Sequence, residues 1–285
     1  MKQLIIIADM EGASGIFEKK RSWNWNGEDD WRKYGRECIT SDALAIANAA
    51  IDFGIDDILL YDAHFAGNPE FNIILEKLPS IVRVFDVPNR CFDWRRIRGQ
   101  AGQNPFGIIT FGQHARFGEK NAYFDHTIQS PPIKNLFWNG KHIAEIGSAV
   151  LSFHDVPYLA NIGCAASMRE ALELSDNIIT IPVKDMAKNW EPSPQETYPI
   201  IYSGVIKSLQ NAENATCIPL DNSSHHFSME LCDGYVFDTA ANISWKGTVG
   251  KTKAEWEAPS VEMGLELFDY VRGLLREDID LLIES

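Results

Sequence analysis

The chain has 285 residues, enough for one large α/β domain or two smaller ones. Its 45% hydrophobic content is that of a globular protein with a buried core. Its formal charge of -14 repels phosphate backbones and anionic membranes, so nucleic acid and membrane surfaces are not expected partners. No apolar run approaches membrane-spanning length, and the five apolar residues at 4–8 are too few for a signal-peptide core. Cys38, Cys91, Cys164, Cys217 and Cys232 include no C-x-x-C pair and are odd in number, which predicts reduced thiols in a cytoplasmic protein. The glycosylation-type triplets at Asn214, Asn222 and Asn242 then read as chance matches.

Residues 4–8, Leu-Ile-Ile-Ile-Ala, predict a buried strand, followed by a polar, Trp-rich loop. A helix is predicted from Trp31 or Thr40 to Phe53, with Leu44, Ile46, Ala47, Ala50 and Ile51 on one face and Gly54 as its stop. Strands follow at 58–61, 81–85 and 107–111. Residues 142–150 read as a short strand running into a helix, 165–174 as a helix and 178–183 as a strand. Continuous apolar strands alternating with helices predict a mostly parallel sheet, in which ligands gather at the carboxyl ends of the strands. Pro192, Pro194 and Pro199 mark 189–199 as a linker or long loop. A boundary near residue 200 divides the chain into a Rossmann-like unit (1–200, possibly discontinuous) and a smaller α+β unit (201–285). An alternating strand at 227–231 and an amphipathic helix at 260–275 complete the pattern.

The chemistry sits behind the strands. Asp9 and Glu11 follow the first one, and a two-residue spacing puts both carboxylates on one side of the pleat. Two such neighbours cost free energy unless a cation lies between them. His64 follows the second strand and His114 the strand at 107–111, so in a parallel sheet Asp9, His64 and His114 leave the same edge. Carboxylate and imidazole suit zinc and other first-row ions. Glu145 is an isolated acid in an apolar setting, which a metal partner explains. Each residue also has a structural reading. A histidine beyond a strand is often a hydrogen-bonded loop residue. Asp62 serves equally as a helix cap or as a group orienting His64. His126 is structural or catalytic, His225 and His226 read as a solvated turn, and His142 and His154 lack an evident partner.

Five segments then occur in a distinctive order: Ala8-Asp9-Met10-Glu11-Gly12-Ala13-Ser14-Gly15, Asp62-Ala63-His64, Gly112-Gln113-His114-Ala115, Asp125-His126-Thr127 and Glu145-Ile146-Gly147. Together with the Tyr34-Gly35-Arg36 element, their order and spacing resemble the DppA-type D-aminopeptidases, the M55 family of metallopeptidases, from the N-terminus to about Val183. The resemblance implies two zinc ions bridged by Asp9. Glu11 and His114 would complete one site, His64 and Glu145 the other, with His126 as the catalytic histidine. It also implies a Rossmann-like domain with a smaller α+β domain, and a decameric homo-oligomer with an internal channel. Amide or peptide hydrolysis by a hydroxide held between two metals is the expected reaction.

One departure bears on substrate. The family's Gly-Asp-Asp turn, a grip for a free amino group, is Gly163-Cys164-Ala165 here. Trp23, Trp25 and Trp31 supply either an apolar substrate wall or ordinary packing. Two rivals to an aminopeptidase-like hydrolase follow: an amidohydrolase acting on a small amide, lactam or hydrazide, and a metal-stabilised binding protein without turnover.

Overall fold

The computed structural model describes residues 2–23, 29–64, 70–85, 94–220, 224–240 and 246–278. Strand β1 (Gln3–Ala8) leads through a short helix α1 (Lys19–Ser22) and a π-helical turn (Trp31–Gly35) into α2 (Arg36–Phe53). Gly54, at φ 91°, ends α2 in the left-handed conformation. Then come β2 (Asp57–Asp62), β3 (Val82–Val84), α3 (Trp94–Gln100), β4 (Gly107–Gln113), β5 (Ile133–Trp138) and β6 (Lys141–His142). Helix α4 (Ala144–Leu151), β7 (Tyr158–Cys164), α5 (Ser167–Leu174), β8 (Ile179–Lys184) and α6 (Pro194–Gln210) follow. The last third holds β9 (His225–Leu231), β10 (Tyr235–Phe237), β11 (Gly247–Val249), β12 (Lys253–Ala258), α7 (Val261–Arg272) and β13 (Leu275–Glu277).

Six strands form a parallel sheet in the order β3-β2-β1-β4-β7-β8. The chain winds outward from β1 to β3, then returns to lay β4 on the other side of β1. That reversal between β1 and β4 is a topological switch point, where the loops leaving neighbouring strands diverge and open a crevice. The period-two pattern of β1 feeds both faces. Leu4, Ile6 and Ala8 join a core with Ile39, Ile46 and Ala50 of α2 and Ile201 and Val205 of α6. Ile5 and Ile7 join a second core with α4, α7 and the antiparallel sheet. That sheet has the order β11-β12-β9-β5-β6, so it is assembled from two separate stretches of chain.

Three expectations are corrected. Residues 189–199 are not a linker, because α6 starts at Pro194. Ser193 caps it, accepting from the Glu196 amide while the Glu196 carboxylate accepts from the Ser193 amide. Proline at the first helical position loses nothing there, since that amide has no intrahelical acceptor. Nor is His225 in a solvated turn: it is buried at the start of β9, and its Nδ1 accepts from the Trp138 indole at 3.2 Å. His142 and His154 do find partners, Asn135 at 3.1 Å and Glu262 at 3.2 Å. Cys38, Cys164, Cys217 and Cys232 are free thiols, while Cys91, Asn222 and Asn242 lie outside the described residues.

Candidate metal centre

Three crowded glycines bring the strand ends together. A Cβ on Gly12 would lie 1.9 Å from the Gln113 carbonyl oxygen, and one on Gly163 would lie 2.1 Å from it. Gly112, at φ +68°, leaves 1.9 Å between such a Cβ and the Asp9 carbonyl oxygen. The loop after β1 therefore lies directly on the last residues of β4, joined by the Gly12 amide donating to the Gly112 carbonyl at 2.7 Å.

On this base Asp9, Glu11, His64, His114 and His126 are buried together, with Glu145 half-buried in the first turn of α4. His64 Nε2 lies 2.9 Å from Glu11 Oε1, and His114 Nε2 touches Glu145 and lies 3.5 Å from Asp9. The His126 ring stacks on His114, with centroids 3.9 Å apart. Ligand atoms of Asp9, Glu11 and His114 lie within 4.8 Å of one another, as do those of His114, His126 and Glu145. The close contacts pair Glu11 with His64 and His114 with Glu145, while the group of Asp9, Glu11 and His114 coincides with one of the two sites that the family resemblance implies.

Neighbouring groups hold the ligand atoms in place. His114 Nδ1 faces the Ala115 carbonyl at 2.8 Å and His126 Nδ1 the Phe124 carbonyl at 2.7 Å. A carbonyl only accepts, so each Nδ1 carries a proton and each Nε2 faces the cluster, where a bound metal would take its lone pair. Trp23 donates to Glu11 Oε1 at 2.7 Å, the same oxygen that His64 meets. Trp31 is fully buried and donates to Asn72 Oδ1, whereas Trp25 lies outside the described residues. Asn72 in turn donates to Asp62 and to the His64 carbonyl, so Asp62 braces the His64 backbone through Asn72.

The electrostatics are those of an anionic pocket short of a cation. Burial, then the charges of Glu11 and Glu145, hold the Asp9 carboxyl well above the usual carboxylate range. Burial works against ionised Glu11 too, but His64, His126 and His114 together outweigh it and its pKa falls well below the ordinary value. Burial opposes the His114 imidazolium, yet Glu145 and Asp9 raise its pKa well above normal. His126 is lowered by burial and then by His114. Among the described residues Asp9 Oδ2 and Glu11 Oε2 are buried with no hydrogen-bond partner, and His114 Nε2 and Glu145 Oε2 meet each other as an ion pair. A hydrogen-bonded core would not leave such atoms facing one another, whereas a divalent cation satisfies them together. The donor set of carboxylates and imidazoles fits zinc.

Sequence reasoning missed Lys184. It is fully buried, and its ammonium reaches carbonyl oxygens of the loop that carries Glu11; burial brings its pKa down to about 8. A lysine closing a β-branched strand carries no signal of its own. Glu170 was also silent. It is buried on α5, accepts from the Arg116 amide at 2.7 Å, and burial raises its pKa to about 7. Its folded value exceeds its unfolded one, so its contribution to stability is present below the unfolded pKa and is lost as pH rises through about 7. Glu170→Gln keeps the acceptor and removes the titration. It is expected to melt close to wild type at pH 5 and several degrees higher at pH 8, with a ceiling of about 3 kcal/mol. Equal melting shifts at the two pH values would refute this.

A parallel sheet with carboxylates and imidazoles gathered at its switch point defines an α/β protein with a candidate metal centre. The chain belongs to the M55 peptidase family, whose model, described as D-aminopeptidase, matches residues 1–270. It is 26% identical to a D-aminopeptidase of Bacillus subtilis (strain 168) over 191 residues, 64% of this chain and 63% of that protein, so just under two thirds of the relative's length is matched. Its fold is similar to that of the Zn-dependent D-aminopeptidase DppA from Bacillus subtilis, described as a self-compartmentalizing protease. The TM-score is 0.78 at 19% identity, covering 95% of this chain and 97% of that one. Among the described residues no helix is long and apolar enough to cross a membrane.

Proposed function

We propose that this chain is a zinc-dependent hydrolase of an amide or peptide bond, aminopeptidase-like in its chemistry. The observation that carries the reading is the convergence at the switch point of four buried ligand atoms, from Asp9, Glu11, His114 and Glu145, of which those of Asp9 and Glu11 find no hydrogen-bond partner among the described residues. Family membership and the zinc dependence of the Bacillus protein support it. Asp9 is the central carboxylate, with Glu11 and His114 completing one site and His64 and Glu145 the other, as the family resemblance implies. That arrangement accommodates two ions. Zinc bound there would supply Lewis acidity and lower the pKa of a water. The chain's own groups do the rest. Trp23 restrains Glu11 so that Oε2 stays turned to the centre. His126 presents Nε2 as a proton acceptor or donor beside the cluster.

A small cavity of about 30 Å³ lies beside Asp9 and Glu145, walled on its apolar side by Ile7, Ala63, Ile128, Ala149 and Phe268. Cys164, buried where the family carries an acid, favours a second reading, an amidohydrolase whose substrate has no free amino group. By family analogy the chain works as a cytoplasmic homo-oligomer, with a decamer as the expected state. Its second unit is the antiparallel sheet with α7, drawn from both 133–142 and the last third.

The test is turnover by chelated and zinc-reloaded protein on D- and L-aminoacyl amides and on small amides lacking an amino group. Zinc-dependent turnover of aminoacyl amides, D before L, is expected. Turnover confined to the other amides selects the second reading. Bound zinc with no turnover of either set leaves a binding protein.

A further inference from the structure

Lys184 donates to the carbonyl oxygens of Glu11 at 2.6 Å, Ala13 at 3.2 Å and Ile16 at 2.6 Å. Three bonds use all three N–H donors of an ammonium. The rings of Phe17, Tyr123 and Phe124 stand 5.6, 5.0 and 5.8 Å from Nζ and shield it from water. Among the described residues no carboxylate lies within ion-pair distance of it. Burying an ammonium costs several kcal/mol, and three neutral acceptors offset only part of that. Such a residue is a poor choice for stability alone, since an apolar side chain fills the same space without the desolvation.

What it does instead is tie one loop to one strand. The three carbonyls belong to the turn that carries Asp9 and Glu11. Lys184 itself is fixed at the end of β8, paired with Cys164 of β7, and its carbonyl accepts from the Ala165 amide at 2.9 Å. From the other side the turn is blocked by the contact of Gly12 with the Gln113 carbonyl. Between those two restraints the Glu11 peptide has one position, and its carboxylate one direction.

We propose that Lys184 is a positioning residue of the metal centre: by gathering the Glu11, Ala13 and Ile16 carbonyls it preorganises Glu11 for zinc. The inference rests on the reading of the cluster as a zinc site. Without the ammonium three carbonyls converge on no donor, the turn opens to reach water, and Glu11 leaves its place. Groups that orient metal ligands in this way typically change affinity 10–100-fold.

The experiment measures zinc affinity by chelator competition in wild type, Lys184→Met and Lys184→Gln, with a melting curve of each zinc-free protein. Methionine keeps the length and suits the aromatic cage, and glutamine restores two donors without the charge. The expected result is a cooperative melt for both variants, zinc affinity about 10–100-fold weaker for Lys184→Met, and an intermediate value for Lys184→Gln. Saturating zinc should restore most of the turnover per bound ion in Lys184→Met, which a collapsed fold would not allow. Wild-type affinity in Lys184→Met overturns the inference, as does lost turnover that excess zinc leaves unrestored. If Lys184→Met does not fold, Lys184→Gln decides on the same criterion. A wild-type chain that takes up no zinc overturns the underlying reading instead, and is told apart by the wild-type titration.

Discussion

Asp9→Ala is expected to empty the whole centre of zinc and to remove turnover. Its Oδ2 lies 3.5 Å from His114 Nε2, and its ligand atom falls within 4.8 Å of those of Glu11 and His114. The remaining side chains form two pairs, Glu11 with His64 and His114 with Glu145, and Asp9 is the group between them. Without Asp9 each proposed site keeps two ligands, Glu11 with His114 and His64 with Glu145, whereas zinc takes three or four protein donors. Only recruitment of His126 beside His114 and Glu145 would leave three. The stability of the variant should move in two directions. In the zinc-free protein the Asp9 carboxyl is buried beside Glu11 and Glu145, and its raised pKa reports that it is an unwelcome charge. Its loss should leave the zinc-free melting temperature unchanged or higher. In wild type, zinc at a thousandfold over its dissociation constant should add about 4 kcal/mol, and Asp9→Ala should lose that gain. Metal analysis with paired melting curves, with and without zinc, checks both halves. Full zinc occupancy in Asp9→Ala would defeat the assignment of Asp9 as the shared ligand.

The parts of this centre that sequence made legible are those written in strand periodicity. An apolar run followed by Asp-x-Glu, or by a histidine two or three residues on, announces a strand end. The parallel sheet then brings Asp9, His64 and His114 to one edge, as β1, β2 and β4 do. Which side chain faces which is set across strands, by register and loop path, and no local pattern encodes it. Hence the pairing of Glu11 with His64 was not readable, nor was the bond from Trp23 to Glu11. Lys184 was hidden for the same reason, because its three acceptors lie 168 to 173 residues away along the chain. Helix α6 is a different case. Its signal was present in Ser193-Pro194-Gln195-Glu196, a capping box with proline at the first helical position, but three prolines close together drew the reading towards a loop. The second sheet escaped because β5 and β6 lie far in sequence from their partner β9, which β5 joins through a register shift.

His126→Ala is expected to lower turnover by about 10²–10⁴-fold while leaving the zinc content of the protein intact. The backbone around it is built for placement rather than comfort. Phe124 at φ 54° and Ile128 at φ 56° both occupy the left-handed region, which for a β-branched isoleucine is a strained conformation, and such strain collects at functional sites. The Phe124 carbonyl fixes the proton on Nδ1, and the stack on His114 fixes the plane of the ring. Burial, and then His114, lower the pKa of the imidazole, so that at neutral pH it is an uncharged base. A neutral imidazole with Nε2 turned to the centre suits proton transfer to a leaving amine or from an attacking water. The same lone pair stands near enough to His114 and Glu145 to serve as a ligand. Metal analysis of His126→Ala separates the two roles. Turnover lost with zinc retained assigns His126 to proton transfer, because the proposed ligands Asp9, Glu11, His64, His114 and Glu145 then hold the zinc without it. Zinc lost in step with turnover makes His126 a ligand, and the proton must then be carried by another group.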